Sequence, residues 1–154
     1  MLILLIPGRI QGHFYRDFYT AKKLMQSKSY KKSIEYNNRF LQQIKNKPWI
    51  KKLIWISWGM YTKDIEAMTY NNLGTGNLHL GQLEEAKACF IKAKELDKEY
   101  PFPYYNLAIL YVVEGDTTKA EEYYNEAGRL GFTRTSFDEF IMKVQNAYAN
   151  IQGR

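Results

Sequence analysis

Two windows of the chain align without a gap at a separation of 34 residues. The first, "AMTYNNLGTGNLHLGQLEEAKACFIKAKELDKEY", runs from Ala67 to Tyr100; the second, "PFPYYNLAILYVVEGDTTKAEEYYNEAGRLGFTR", from Pro101 to Arg134. Tyr70 pairs with Tyr104, Asn72 with Asn106, Leu73 with Leu107, Gly74 with Ala108, Gly81 with Gly115, Ala86 with Ala120, Phe90 with Tyr124, Ala93 with Ala127 and Leu96 with Leu130. A fixed period of this kind marks a small unit that cannot bury its apolar face alone and must stack on copies of itself. Ala86, Phe90 and Ala93 recur at i, i+4 and i+7, one face of a helix. Gly81 and Gly115 fall where a helix must end, since glycine takes the left-handed conformation that stops one. Asp116 and Thr117 are N-cap candidates, and Pro101 and Pro103 suit a first helical turn.

This pattern resembles the tetratricopeptide repeat, a helix–turn–helix unit of the same length. The resemblance implies an all-α fold: a right-handed superhelical array of antiparallel helix pairs over 67–100 and 101–134. Two features depart from the family pattern. Asn77 stands where a large residue is usual (Tyr111 in the second window), and Lys98 and Phe132 replace the usual late proline. A fainter unit over 12–46 places Ala21, Leu24, Tyr30, Ser33 and Phe40 at similar spacings, with Lys28 for the turn glycine and Asn37 for the large aromatic. Ala21 and Gly74 are 53 residues apart, one period plus 19, so an insertion over 47–66 interrupts the array. At the end, Phe137, Phe140, Ile141, Val144, Tyr148 and Ile151 share a helix face, which predicts a capping helix over 135–154.

All three tryptophans, Trp49, Trp55 and Trp58, lie in the insertion, within "KPWIKKLIWISWGMY". Read at α-helical spacing, Trp49, Leu53 and Ile56 form one stripe that Ile50, Ile54 and Tyr61 widen, while Trp55 and Trp58 lie partly on the other side. A helix apolar nearly all round is buried or meets another apolar phase. The reading placed first makes the stretch a helix that fills the interruption, with Trp49 and Trp55 in the core. The second leaves it as a docking face for a protein or a second copy of the chain. The third sets it on anionic lipid through Lys47, Trp49, Lys51, Lys52, Trp55 and Trp58, with Lys45 beside them.

Charge bears on the third reading. Residues 1–60 hold twelve Lys and Arg against Asp17 and Glu35, a net +10, whereas residues 61–154 hold ten against fourteen acids, a net −4. Such asymmetry points the first part at something anionic. The opening "MLILLIPGRI" is apolar for six residues and then breaks at Pro7-Gly8. It is shorter than the ~20 residues of a spanning helix; residues 1–11 are expected to form a short strand or tail packed on the domain, with the stub of a membrane segment as the alternative.

In the tetratricopeptide family the first helix of each repeat lines a groove for extended or helical peptides. Carried over by position, the resemblance implies Met68, Asn71, Asn72, Thr75, Leu78 and His79 in one repeat, and Phe102, Tyr105, Asn106, Ile109, Val112 and Val113 in the next. Asn72 and Asn106 share a repeat position, and an amide there can read a peptide backbone without reading its sequence. The Lys and Arg with which some members hold a C-terminal carboxylate are absent, so that clamp is not expected.

Chemistry finds no foothold. His13 and His79 are the two histidines, no ligand cluster at metal spacing occurs, and "LGTGNLHLGQ" lacks a phosphate-loop signature; Gly76 in that stretch has no role in the repeat. Cys89, the one cysteine, sits in an amphipathic stretch and is expected to be a small core or semi-buried residue. The expected function is non-enzymatic: a protein-interaction scaffold or adaptor without cofactor or metal, in the cytoplasm. The alternative is a peripheral membrane adaptor; nucleic acid ranks last.

Overall fold

The computed structural model describes residues 5–56, 62–132 and 135–152, and among them every regular element is helical. The α-helices are α1 (Leu5–Phe14), α2 (Arg16–Gln26), α3 (Tyr30–Asn46), α4 (Ile65–His79), α5 (Leu83–Leu96), α6 (Pro101–Glu114), α7 (Thr117–Arg129) and α8 (Phe137–Gln152), with a 3-10 helix over Pro48–Ile56. The expected array of helix pairs is present: α2 packs on α3, α4 on α5 and α6 on α7, and successive pairs stack through α3–α4 and α5–α6.

One turn design closes all three pairs. At the end of α2 the Ser29 amide donates to the Leu24 carbonyl (2.8 Å) and the Lys28 amide to that of Met25 (3.0 Å). At the end of α4 Gln82 donates to Asn77 (2.9 Å) and Gly81 to Leu78 (3.0 Å); at the end of α6 Asp116 donates to Tyr111 (2.9 Å) and Gly115 to Val112 (3.1 Å). Such bonds satisfy carbonyls that a helix end leaves open, and they need one residue at positive φ. That residue has φ 76° at Gly81, 84° at Gly115 and 58° at Lys28. The fainter unit therefore makes the same turn with a residue whose Cβ resists it.

Small residues set how closely the helices approach. Ala21, Gly74 and Ala108 are all buried. A Cβ on Gly74 would lie 2.5 Å from the Phe90 ring, so α4 and α5 meet at that point only without a side chain. Gly76, which the repeat leaves without a role, faces the neighbouring pair instead: a Cβ there would lie 2.9 Å from Ile34 Cγ1. In the next interface the same register positions hold Leu110 and Lys87, whose ammonium turns out to Glu114 (2.8 Å).

The insertion corrects two expectations. It is a 3-10 helix, and it does not place Trp49 and Trp55 in the core: they are 48% and 68% exposed. The buried side chains are Ile50 and Ile54, which join Tyr15, Phe18, Phe40, Ile44 and Ile65. The cause is the period. At three residues per turn, Trp49 no longer aligns with Leu53; it aligns with Lys52 and Trp55. Trp58 and Tyr61 lie outside the described residues. The expected strand or tail over residues 1–11 also gives way, because Leu5 already opens α1; residues 1–4 lie outside the described residues. α1 packs on the insertion, where Gln11 Nε2 donates to the Leu53 carbonyl (3.1 Å) and Tyr15 Oη, just beyond α1, to that of Ile50 (3.2 Å).

Relief of the strained turn is measurable. Lys28→Gly should stabilise the fold by about 0.5–1 kcal/mol, since the left-handed cost of a side chain exceeds the added chain entropy of glycine. Thermal denaturation should show a midpoint higher by about 1–4 °C.

Candidate binding site on the concave face

The first helices of the pairs, α2, α4 and α6, carry the residues that sequence position assigns to a groove. On α4, Met68 is half-buried against the N-terminal core, Leu78 is buried, and Asn72 and Thr75 are half-exposed. Asp64 caps this helix by accepting from the Glu66 and Ala67 amides (2.8 and 3.1 Å), which fixes where it begins. The Thr75 hydroxyl is turned back onto the Asn71 carbonyl (3.0 Å). Asn106 Nδ2 of α6 donates to Asn71 Oδ1 (2.9 Å), and Asn71 is buried. The two asparagines that pair across the repeats are thus one residue out of the 34-residue register. Among the described residues, Asn72 is the one of the three whose side-chain amide makes no hydrogen bond within the fold.

On α6 the assigned face is covered. α8 packs against α6 rather than taking up the place of a next repeat on α7. Phe140 and Val144 are buried there with Ala108, Val112, Val113, Ala120 and Tyr124, while Tyr105, Ile109, Phe137 and Ile141 pack around them. Phe140 meets Tyr105 edge-on (5.2 Å) and Tyr124 at 4.5 Å. Phe132, just after α7, adds a ring between Phe102 (4.4 Å) and Tyr105 (4.9 Å). The helix expected as a terminal cap does bury apolar surface at the end of the array. It does so by lying on the groove side, so Tyr105, Ile109 and Val113 are not open to a ligand in this state.

α8 also reaches the middle pair. Tyr148 departs from helical geometry (φ −116°, ψ 15°), and its ring stacks on His79 at the end of α4 (5.5 Å, 22°). Tyr30, at the start of α3, stacks on the same imidazole (4.5 Å, 12°). Its place between the two rings takes water from the faces of the imidazole, and this, with Lys28 nearby, holds His79 below its ordinary pKa. Nothing in the repeat pattern announces this stack, since its three residues come from three separate units and share no register.

Three observations bear on chemistry. Among the described residues, no group of His, Cys, Asp and Glu could hold a metal ion. Cys89 is half-buried, and burial pushes its thiol up, away from the reactive thiolate. No described helix is long and apolar enough to cross a membrane.

Residues 65–130 match the tetratricopeptide repeat family. Neither the curated proteins nor the solved structures compared with the chain contain a match.

The stack gives a pH prediction. A histidine whose folded pKa is lowered contributes stability that is full above about pH 6.5 and is lost as pH falls through that value, because the unfolded chain then binds the proton more readily. The thermal midpoint should fall as pH is taken from about 7.5 to about 5.5, and His79→Gln should flatten that part of the profile. An unchanged slope in the variant would exclude His79 as its source.

Proposed function

We propose that this tetratricopeptide-repeat protein, with its family repeats over residues 65–130, is a non-enzymatic adaptor that receives a peptide or helix on its concave face. Tetratricopeptide repeats generally mediate protein–protein interaction, and stacked repeats present extended concave surfaces to their partners. One observation carries the reading for this chain: the α6 part of that face already holds an amphipathic, aromatic helix, α8, by burying Phe140 and Val144. A surface that accepts one such helix in cis has the apolar character a helical or apolar peptide requires.

The partner's first contact is the strip beside α8, on α4 and α2. Asn72 and Thr75 stand there, with Met68 at one end and His79 at the other. Asn72 offers a donor and an acceptor to a peptide backbone. Tyr105, Ile109 and Val113 are reached only after α8 moves, Phe102 lies against Phe132, and Asn106 serves the Asn71 bond. Mutating Asn106 therefore tests folding as much as binding, while Asn72 tests binding.

Selection of peptides from a displayed library on the full chain gives the probe. The selected peptides should crosslink near Asn72 and Thr75, and Asn72→Arg should weaken them by about tenfold or more, the loss of roughly 1.4 kcal/mol, with an unchanged thermal midpoint. Peptides that map to the α5–α7 side, or that bind the variant as well as the parent, would contradict the reading.

A further inference from the structure

The 3-10 helix places its exposed residues in a pattern that no repeat requires. Three residues per turn bring positions 49, 52 and 55 into one column, and all three are exposed: Trp49 (48%), Lys52 and Trp55 (68%). The adjacent column, Ile50 and Leu53, faces the core. Two large indoles at the surface are unusual, since tryptophan is highly buried on average. Here they are not loose. The Trp49 ring is held edge-on by Phe14 of α1 (4.8 Å), and the Lys63 ammonium lies over the Trp55 ring (4.9 Å). Ile10, one turn before Phe14 on the same face of α1, is a further exposed apolar residue (43%).

Charge identifies what covers this column. The insertion belongs to a segment of net +10, and Lys47 and Lys52 are exposed beside the indoles. The nearest downstream acids are both engaged within the protein: Glu66 pairs with Lys51 (2.7 Å), and Asp64 accepts from the Glu66 and Ala67 amides at the start of α4. That pair removes Lys51 from the surface cations and leaves Lys47, Lys52 and Lys63 around Trp49 and Trp55. Indole rings with lysines between them match the boundary between lipid headgroups and acyl chains, where the ring sits apolar side in and the ammonium stays at the phosphates.

We infer that the Trp49–Lys52–Trp55 column is a membrane-interface foot that sets the chain on an anionic lipid surface. The column is a separate surface from the concave face, so lipid and peptide are held by different residues.

Flotation of the full chain with vesicles tests this directly, using phosphatidylcholine alone and phosphatidylcholine with about one third phosphatidylserine. The parent should float with the anionic vesicles only, less at higher salt, with a blue shift in tryptophan emission. Trp49→Ala with Trp55→Ala should weaken flotation by about tenfold or more. Lys52→Gln should weaken it about fivefold, the effect of one basic residue near such a surface, whereas Lys51→Gln combined with Glu66→Gln, which removes that ion pair whole, should leave it unchanged. The thermal midpoint of each variant shows that folding is intact. A parent that stays with the unfloated protein overturns the inference, even if it is retained on heparin, since the face would then serve a soluble polyanion. Flotation that survives loss of both tryptophans, or that falls as far with the Lys51→Gln, Glu66→Gln double variant as with Lys52→Gln, overturns it as well.

Discussion

A stack of helical pairs leaves two faces uncovered, one at each end, and this constraint governs what surrounds the repeats here. Each pair buries its apolar side only against a neighbour. At the C-terminal end α8 supplies the neighbour, and at the N-terminal end α1 and the 3-10 helix do so. Tyr15 shows how the N-terminal end is tied down. Its ring packs on Phe40 (5.3 Å) while its hydroxyl donates to Ile50, so one side chain joins the first repeat to the insertion. Burial pushes that hydroxyl's pKa far up, which keeps it a donor throughout the ordinary pH range.

The two end solutions differ in what they leave outside. The N-terminal closure turns Ile50 and Ile54 in and so turns Trp49 and Trp55 out. The C-terminal closure turns Phe140 and Val144 in, and it does so across the side of α6 that would otherwise face a ligand. Both candidate surfaces are thus by-products of covering an end. One is an outward column of indoles and lysines; the other is a concave strip narrowed by the chain's own helix.

Much of the fold was legible because the repeat encodes it redundantly. Gly74 against Phe90, and Gly81 and Gly115 at positive φ, carry out what their spacing implied. The first unit was faint for a physical reason. Lys28 makes the glycine turn with a side chain, and Asn37 fills the place of Phe90 and Tyr124 while its Nδ2 donates to the Ser33 carbonyl (3.1 Å). The insertion departs from its α-helical reading because the chain there uses about three residues per turn instead of 3.6. That change turns Trp49 out beside Trp55, while Ile50, Leu53 and Ile54 keep the core side of the expected stripe. The groove was legible as a list of positions and not as a surface. Position could not say that α8 would cross α6, nor that Asn106 would reach Asn71 in place of a ligand. Gly76 carried a usable signal, since a glycine without a role in its own repeat is a candidate for close approach to the next one.

The placement of α8 decides which residues a partner meets, so it is the point to measure first. Aromatic nuclear Overhauser spectra of the full chain report it without a variant or a ligand. The structure predicts cross-peaks between the Tyr148 and His79 rings and between those of Phe140 and Tyr105. A Tyr148 without contact to His79, together with Phe140 close to Tyr124 alone, would place α8 as a plain end cap on α7. The whole of α6, from Phe102 to Val113, would then be open to the partner.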